Sequence, residues 1–197
     1  DRTQDMNNNI NINDNKPIFE KSNIETFVRE NARVGKTLER FRASDPDQGG
    51  HSKVRYAIDR SSDRRRQFTI SADGTVSIQR ELDRETSPAH QIKILAIDDG
   101  DPPKTATATL TVIVQDINDN APIFTMPSYG ANVDEDAPIG TSILTLSAND
   151  DDDGENGRVS YSIAHGDRYN QFGINADDGT ISVESALDRE MVSNYVL

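Results

Sequence analysis

The sequence repeats itself at a spacing of 105 residues, and this repeat constrains the possible fold more than any other feature. The segment Asn-Asp-Asn-Lys-Pro-Ile-Phe at 13–19 returns as Asn-Asp-Asn-Ala-Pro-Ile-Phe at 118–124. Other segments match at the same spacing: 54–58 with 159–163, 73–76 with 178–181, and 82–85 with 187–190. One pair departs from it, because Gln67-Phe68 recurs as Gln171-Phe172, a spacing of 104. The chain is therefore predicted to contain two homologous domains in series.

Within each repeat, apolar residues alternate with polar ones, which is typical of β-strands that bury one face. The alternation is clearest over 54–58, 92–96 and 108–114, and turn sequences such as Asp73-Gly74 separate the stretches. Sustained helical periodicity is absent. Seven short strands in about 100 residues predict an all-β fold of tandem seven-stranded Greek-key β-sandwiches of the immunoglobulin-like type.

The strand count also predicts the domain boundaries. Residues 1–16 are expected to be the tail or linker of a preceding repeat, 17–120 a whole repeat with its C-terminal linker, and 121–197 a second repeat. The second repeat is expected to be truncated, because the sequence ends where its sixth strand should begin. We therefore expect the chain to be a segment of a longer array.

Composition excludes several classes of protein. A net charge of −13 argues against a nucleic-acid-binding protein, which normally carries a basic face. No apolar run approaches the roughly 18 residues that span a bilayer, and the lack of cysteine excludes disulfides, thiolate zinc sites and cysteine nucleophiles. The three histidines are expected in different loops with no paired nucleophile, so a carboxylate-based hydrolase is a weak alternative and we expect the protein not to be an enzyme.

The acidic residues are distributed unevenly. Residues 121–197 contain 14 acidic and 3 basic side chains, a net charge of −11, whereas residues 1–120 contain 20 and 18, a net charge of −2. Partial disorder could account for such an excess, but it fits poorly with the recurring strand pattern. A solvated acidic face and a requirement for bound cations both remain as explanations.

Carboxylates at alternate positions occur in two loops. In an extended loop, Asp83-x-Glu85 and Asp150-x-Asp152 each point two carboxylates the same way, so each pair can share one ion. Seven carboxylates are candidates for a single junction between the repeats: Glu30, Asp83, Glu85, Asp116, Asp119, Asp150 and Asp152. Because Mg²⁺ prefers water and Zn²⁺ prefers histidine or cysteine, oxygen-only ligands indicate Ca²⁺.

Two loops have simpler interpretations when each is taken alone. The segment 150–153 would be a polar solvated loop, and an EF-hand with Gly154 at its sixth position fails because Ser160 would replace the twelfth-position glutamate. Arg64-Arg65-Arg66 is interpreted as a solvated loop, with a glycosaminoglycan contact as its alternative.

Four motifs in order carry a resemblance to a known family: Glu30, Leu82-Asp83-Arg84-Glu85, the segment Asp-Ile-Asn-Asp-Asn-Ala-Pro-Ile-Phe at 116–124, and the segment 150–157. At this domain-scale spacing they resemble the extracellular repeats of the cadherin family. The resemblance covers the chain from about Asn11 onward. It implies that three Ca²⁺ ions bind at each junction between repeats.

The resemblance also implies which residues hold the ions at the junction of 116–120. The two ions nearest the first repeat would be held by Glu30, Asp83, Glu85 and Asp119, with Asp116 and the carbonyl of Ile117. Asp152 would bridge toward the third ion, which Asp150, Asn118 and the carbonyls of Asn120 and Asn156 would also hold. The aspartate that closes this third site in the family would lie past Leu197. The third ion is therefore expected to bind weakly or to be lost.

A second group of residues would form the far side of a junction preceding the first repeat. Its members correspond to the third-ion ligands described above: Asn13, Asn15, Asp45, Asp47 and Asp98. His51 stands at the position of Asn156, and Asn11 at that of Asp116. At the far end of the second repeat, Glu135, Asp188 and Glu190 would await a third repeat. Arg84 and Arg189 are expected to balance charge within their acidic loops.

The cadherin likeness implies a Ca²⁺-dependent cell–cell adhesion segment, commonly homophilic, in the extracellular part of a plasma-membrane protein. Its implied partners are the same or a related cadherin on an apposed cell and the neighbouring repeats of its own chain. Neither nucleic acid nor membrane contact by this segment is expected. The sequence contains no tryptophan, so this segment cannot perform the tryptophan-mediated strand exchange of many cadherins. The alternative is a non-adhesive, Ca²⁺-stiffened spacer or heterophilic receptor segment of a long atypical cadherin.

Overall fold

The computed structural model describes residues 13–47 and 53–197. These residues form two compact units, one ending at Ile117 and the other beginning at Asn118. The regular structure in these ranges is all β-strand, and none of it is a helix long and apolar enough to cross a bilayer. The expectations for residues 1–12 and for His51 lie outside the described residues.

The described part of the first unit contains two main sheets and one short strand pair. Its strands are β1 (Ile18–Phe19), β2 (Asn23–Arg29), β3 (Thr37–Arg40), β4 (Ala43–Ser44), β5 (Arg55–Ile58), β6 (Phe68–Ile70), β7 (Thr75–Ile78), β8 (Ala89–Ile97) and β9 (Thr105–Gln115). One sheet has the order β2-β9-β8-β5 and the other β3-β7-β6, while β1 pairs with β4. The two main sheets contain the seven strands predicted from the sequence.

The first and last long strands of this unit lie side by side. β2 and β9 run parallel, in a register that extends from Asn23 opposite Thr109 to Arg29 opposite Gln115. The remaining pairs of the same sheet, β9 with β8 and β8 with β5, are antiparallel. The return of the last strand to the first gives the immunoglobulin-like Greek-key sandwich that the sequence predicts.

The alternating apolar residues of both sheets form the core of the first unit. Because successive side chains in a strand point to opposite faces, every second residue of β9 is buried, from Ala108 to Val114. The buried members of the core lie on the strands or, for Phe41 and Leu82, in the segments that follow β3 and β7: Val28, Phe41, Ile58, Phe68, Val76, Ile78, Leu82, Ile92, Ile94, Ala108, Leu110, Val112 and Val114. The predicted strand alternation is therefore confirmed in this unit.

The Asp73-Gly74 turn packs tightly against a neighbouring loop. Gly74 has a φ of +84°, and its carbonyl accepts a hydrogen bond from the N–H of Phe41 at 2.8 Å. A Cβ atom on Gly74 would overlap the carbonyl oxygen of Phe41. Glycine is therefore required here both by the left-handed backbone and by the close approach of a second chain segment.

The second unit repeats part of this arrangement. Its strands are β10 (Ile123–Phe124), β11 (Ser142–Thr145), β12 (Ala148–Asn149), β13 (Phe172–Ile174) and β14 (Thr180–Val183). A three-stranded sheet has the order β11-β14-β13, and β10 pairs with β12. These elements correspond to β3-β7-β6 and to the β1–β4 pair of the first unit, as the sequence repeat predicts.

Two strands expected from the repeat are not formed in the second unit. Residues 128–134 and 159–163, which correspond to β2 and β5, carry no assigned strand within the described chain. In the first unit β2 pairs with β9 and β5 pairs with the end of β8. The counterparts of those partner residues would fall beyond residue 197. The alternating pattern at 159–163 is therefore present in the sequence, but without a neighbouring strand it forms no ladder; the N–H of Tyr161 donates instead to the carbonyl of Ala176 at 3.0 Å.

Candidate metal centre

Glu30 lies at the end of β2 and presents a buried carboxylate to the C-terminal end of the first unit. Only 5% of the residue is exposed. Its Oε2 accepts a hydrogen bond from the N–H of Arg84 at 3.0 Å, and its Oε1 accepts one from the N–H of Ile117 at 2.9 Å. These two main-chain donors fix the side chain and partly compensate the loss of water around the charge.

The loop that follows β7 brings two more carboxylates to Glu30. Oxygen atoms of Glu30, Asp83 and Glu85 all lie within 4.8 Å of one another. The side chain and N–H of Thr86 donate to Asp83, at 2.6 and 3.0 Å, and lower the pKa of that carboxyl. Burial and the nearby charge of Glu30 raise the pKa of Glu85. Three carboxylates this close repel one another unless a cation lies among them.

Arg84 supplies part of the compensating charge. Its guanidinium pairs with Glu85 at 2.6 Å and with Asp116 through Nε. Burial opposes its charge, but the hydrogen bond and charge of Asp116, together with Glu85, raise the pKa of Arg84. The arginine therefore balances charge within its acidic loop, as the sequence suggested. One guanidinium does not neutralise the four carboxylates of Glu30, Asp83, Glu85 and Asp116.

A second acidic group lies at the opposite end of the first unit. Asp98 follows β8 and is 1% exposed. Although burial alone would raise the pKa of Asp98, hydrogen bonds from the N–H groups of Lys104 and Gly100, at 2.8 and 3.1 Å, and from Asn13 lower it. The Nδ2 of Asn13 donates to Asp98 at 3.2 Å and to the carbonyl of Pro102 at 2.9 Å. Asp98 is thus a buried carboxylate held in its charged form.

The remaining members of this group are joined by a chain of hydrogen bonds. Asn15 donates to Asp47 from its side-chain Nδ2 at 2.6 Å and from its main-chain N–H at 3.1 Å, and these bonds, the side-chain one foremost, lower the pKa of Asp47. The N–H of Asp47 donates in turn to Asp45 at 2.9 Å. The structure thus connects Asn13 with Asp98, and Asn15 with Asp47 and Asp45.

Three oxygen atoms of this group are buried without a hydrogen-bond donor among the described residues. They are Oδ1 of Asn13, Oδ2 of Asp45 and Oδ2 of Asp98. A buried oxygen that accepts nothing is costly, by about 1 to 3 kcal/mol and more when charged. An amide and two carboxylate oxygens without sulfur or imidazole form the type of ligand set that Ca²⁺ prefers. The residues present therefore fit a hard divalent cation.

The second unit reproduces the same chain of hydrogen bonds. Asn120 donates to Asp152 from Nδ2 at 2.6 Å and from its N–H at 3.3 Å, and the N–H of Asp152 donates to Asp150 at 3.0 Å. Asp152 is 8% exposed. The equivalence with Asn15, Asp47 and Asp45 shows that the Asn-x₃₁-Asp pairing is a property of the repeat and not of one loop.

The remaining predicted ligands are Asn118, Asp119, Asn156 and Ile117. Asn118 and Asp119 are exposed, and the Oδ1 of Asp119 accepts a hydrogen bond from Nδ2 of Asn120 at 3.0 Å. The N–H of Asn156 donates to the carbonyl of Asp153 at 3.2 Å, which closes the acidic loop. Ile117 contributes its N–H to Glu30 as described above.

The far end of the second unit copies the Glu30 arrangement in part. The N–H of Arg189 donates to Oε2 of Glu135 at 3.2 Å, as that of Arg84 does to Glu30. The Oδ1 of Asp188 accepts the N–H groups of Glu190 and Met191, at 2.9 and 3.1 Å. These residues stand where the repeat predicts, at the ends of the second unit's corresponding loops.

One structural carboxylate escaped the sequence analysis. Asp63 is 4% exposed and accepts the N–H groups of Gln67 and Phe68, at 2.8 and 3.2 Å. Asp167 does the same for Gln171 and Phe172 in the second unit, at 2.8 and 2.9 Å. The signal was available, since Asp recurs four residues before both Gln-Phe pairs. It identifies turn anchors that are separate from the acidic ligand groups.

The family model of the cadherin domain, a sequence profile, matches residues 24–115 and 129–197 of this chain. The chain belongs to the cadherin family. Cadherin domains generally bind Ca²⁺ at the junctions between repeats, are not enzymes and lie in the extracellular part of plasma-membrane proteins. The chain is accordingly an extracellular, adhesion-type cadherin segment.

Several relatives agree with this assignment. The chain is 50% identical over 203 residues to Neural-cadherin of Drosophila melanogaster, covering 94% of this chain and 6% of that protein. It is 40% identical over 190 residues to human Protocadherin Fat 4, covering 95% of this chain and 4% of that protein. A crystal structure of mouse Cadherin-23 EC22-24 superimposes with a TM-score of 0.84 at 30% identity, covering 91% of this chain and 57% of the other. This cadherin segment thus spans a small part of the curated relatives that it matches.

Proposed function

We propose that the chain is a Ca²⁺-dependent cell–cell adhesion segment in which ions at the 116–120 linker stiffen the connection between consecutive repeats. The observation that carries the proposal is a set of buried oxygens on Asn13, Asp45 and Asp98 that have no hydrogen-bond donor within residues 13–47 and 53–197, together with the mutually close carboxylates of Glu30, Asp83 and Glu85. Both are oxygen-only groups of the kind that suits a hard divalent cation. They lie at opposite ends of one repeat, which is the placement expected of a module joined to neighbours on both sides.

The proposed organisation follows the boundaries predicted from the sequence. Residues 17–120 would be one repeat with its linker, 121–197 a second repeat, and 1–16 the tail of a preceding one. The linker ions would number about three, held by the residues that the family resemblance implies: Glu30, Asp83, Glu85, Asp116, Ile117, Asn118, Asp119, Asn120, Asp150, Asp152 and Asn156. The preceding junction would use Asn13, Asn15, Asp45, Asp47 and Asp98.

The residues of the chain have separable tasks in this proposal. When bound, Ca²⁺ supplies positive charge and accepts six to eight oxygen ligands in flexible geometry. Glu30 is pre-positioned by its two main-chain donors, and Asn120 and Asn15 hold Asp152 and Asp47 in place. Without cations, the polar linker carries unbalanced carboxylates and would let the repeats move independently. Extracellular modules of this kind bind Ca²⁺ at roughly 10⁻⁴ to 10⁻³ M.

Calorimetric titration with Ca²⁺, combined with thermal unfolding in Ca²⁺ and in EGTA, tests the metal part of the proposal. The parent chain should bind two or three ions, and its unfolding temperature should rise with Ca²⁺. Asp119→Ala should remove most of that rise, whereas Asp151→Ala, a carboxylate of the same acidic region that is not among the proposed ligands, should leave it largely unchanged. Equal behaviour of the two variants would contradict the assigned ligand set.

A second experiment separates homophilic adhesion from a spacer or heterophilic role. The chain covers only 6% of Neural-cadherin and 4% of Protocadherin Fat 4, and it contains no tryptophan, which together support a segment of a very long cadherin as the second candidate. Sedimentation velocity at increasing concentration, in Ca²⁺ and in EGTA, should show Ca²⁺-dependent self-association if this segment is itself homophilic. A species that stays monomeric in Ca²⁺ would support the spacer or heterophilic role.

A further inference from the structure

The loop between β5 and β6 of the first unit is basic in an acidic protein. Residues 59–66, here called the arginine loop, read Asp-Arg-Ser-Ser-Asp-Arg-Arg-Arg and contain four arginines and two aspartates, a net charge of +2. The whole chain carries −13. None of the eight residues of this positively charged loop is among the proposed Ca²⁺ ligands.

The arginine loop is built from two consecutive hydrogen-bonded turns. The carbonyl of Asp59 accepts the N–H of Ser62 at 3.0 Å, and that of Asp63 accepts the N–H of Arg66 at 3.1 Å. The N–H of Lys93 in β8 donates to Oγ of Ser62 at 2.9 Å, which ties the loop to the sheet. A loop that is already ordered loses little conformational entropy when it binds a ligand.

Charge within the loop is compensated at its base and not at its tip. Arg60 donates from Nη1 to Oδ2 of Asp63 at 3.2 Å, and the carboxylate of Asp63 also accepts two main-chain N–H groups. Arg64, Arg65 and Arg66 are exposed, and none of them forms an ion pair with a described residue. Three guanidinium groups therefore project from the tip without a carboxylate partner in the described part of the chain.

The second unit supplies an internal comparison with nearly the same backbone. Its loop has the turn anchor Asp167, and the N–H of Asn170 donates to the carbonyl of Asp167 at 3.4 Å. Asn170 has a φ of +52°, and Arg66 at the same position has +54°. Asparagine is favoured in the left-handed region, whereas arginine is not. The first unit thus places a guanidinium where backbone preference favours asparagine.

We propose that the arginine loop binds a sulfated glycosaminoglycan chain at the cell surface. Arginine presents a planar, weakly hydrated fork of donors that matches oxyanions and binds them in bidentate fashion. A polymer with repeated sulfate groups can engage adjacent guanidinium groups at once. The proposal concerns one exposed loop and is independent of the Ca²⁺ ligands, so each can fail without the other.

The matched variant exchanges the arginine loop for the sequence of its counterpart in the second unit. Arg65→Tyr with Arg66→Asn converts Asp-Arg-Arg-Arg into the Asp-Arg-Tyr-Asn of residues 167–170. Because Asn suits the left-handed backbone, this variant should unfold at a temperature no lower than the parent does. The control, Arg42→Asn with Arg55→Tyr, makes the same exchange of residue types at exposed positions outside the loop.

The three proteins are compared on immobilised heparin and on desulfated heparin in Ca²⁺, at about 0.15 M NaCl. The parent and the control should bind heparin. The loop variant should bind it at least about tenfold more weakly, as expected for the loss of two charged contacts. All three proteins should bind desulfated heparin weakly. Equal heparin affinity of the loop variant and the control would overturn the proposal.

A further readout distinguishes an acidic protein surface as the partner. If the loop variant loses concentration-dependent self-association in Ca²⁺ while heparin binding is unchanged, the arginine loop binds a second copy of this chain and the glycan proposal is wrong. The Ca²⁺ titration of the loop variant should match that of the parent. This last comparison shows that any loss of heparin binding does not arise from a damaged metal site.

Discussion

Glu30 is a buried charge whose environment is only partly favourable. Two main-chain N–H groups stabilise its carboxylate, but Asp83 and Glu85 place further negative charge within 4.8 Å. Burial of a charge is tolerated when it is paired and hydrogen-bonded. The hydrogen bonds position Glu30, and a cation would complete the pairing.

Substitution of Glu30 should therefore affect the metal-bound protein more than the metal-free one. In Glu30→Gln we expect the Ca²⁺ affinity to fall about tenfold or more, because a ligand charge is lost. The unfolding temperature in EGTA should change little, because relief of repulsion offsets the weaker hydrogen bonds. Calorimetric titration and thermal unfolding check both expectations, with Glu25→Gln on the exposed face of β2 as the control. A large loss of stability in EGTA with unchanged affinity would make Glu30 a structural residue only.

His90 is a titratable residue outside the acidic ligand groups, and it lies in β8 and not in a loop as the sequence suggested. Its ring contacts Phe68 edge-on, with centroids 5.2 Å apart, and its Nε2 is buried without a described hydrogen-bond partner. Burial lowers the pKa of His90, the charge of Asp63 opposes this, and the charge of Arg65 lowers it further. The folded protein therefore binds a proton at His90 less readily than the unfolded chain does.

The depressed pKa of His90 predicts a loss of stability in mild acid. Below the unfolded value of about 6.5 the unfolded chain takes up the proton first. The free energy of unfolding should therefore fall as the pH drops from about 6.5 toward the folded pKa, by less than about 1.4 kcal/mol per pH unit for this partly exposed group. His90→Gln should show a smaller slope in that window when both proteins are unfolded by denaturant at a series of pH values. Identical slopes would exclude His90 as the source.

At the scale of elements, sequence pattern and pairing partners act together. The alternation of apolar and polar residues predicted β9 and β8, because the apolar residues are the ones whose side chains point into the core. The same alternation at 159–163 predicted a strand that is not formed, since a strand also needs a neighbour for its main-chain hydrogen bonds. The local sequence determines the alternation of side chains, whereas the neighbouring strand is supplied only by the fold.

Some features of the candidate metal centre could likewise be predicted from local sequence, and others depended on the fold. Asp83-x-Glu85 and Asp150-x-Asp152 could be found from spacing alone, because both members lie in one loop. The hydrogen bonds that fix Glu30 and Asp98 come from Arg84, Ile117 and Lys104, and such pairings between distant segments depend on the fold. Local spacing therefore indicated the ligand chemistry, while the buried oxygens that lack a donor in the described part of the chain became apparent only in three dimensions.

The Asp73-Gly74 turn provides a test of element packing. Gly74 and Gly35 have similar φ angles, +84° and +91°, but a Cβ on Gly35 would meet nothing within 4 Å, whereas one on Gly74 would overlap the carbonyl oxygen of Phe41. Gly35→Ala should cost about 1 to 2 kcal/mol for the backbone conformation alone. Gly74→Ala should cost more, because the steric overlap is added. Denaturant unfolding measures both, and equal losses would show that the turn moves away without cost.

At the scale of the whole molecule, charge is the dominant property. The net charge of −13 and the concentration of −11 in residues 121–197 mean that the folded chain repels itself when cations are removed. Bound Ca²⁺ and dissolved salt reduce that repulsion by different routes. The first acts at defined ligands and the second by screening, over a length of about 10 Å at 0.1 M.

This difference predicts how salt affects stability in the two metal states. In EGTA, the unfolding temperature should rise as NaCl increases toward about 0.15 M, because screening weakens repulsion among the carboxylates. In saturating Ca²⁺ the same addition should have a smaller effect. Thermal unfolding with NaCl and with choline chloride measures both, and the second salt controls for Na⁺ binding. A salt response that is the same in EGTA and in Ca²⁺ would contradict neutralisation at specific sites.

The parallel pairing of β2 with β9 determines how the first unit would respond to tension. The chain enters β2 beside Thr109 and leaves β9 beside Arg29, so the two attachment points lie at opposite ends of seven paired residues. A pulling force would slide one strand along the other and load the connecting hydrogen bonds simultaneously instead of unzipping them one by one. Because forced unfolding is governed by the unfolding rate, this shear geometry favours slow mechanical rupture of the first unit.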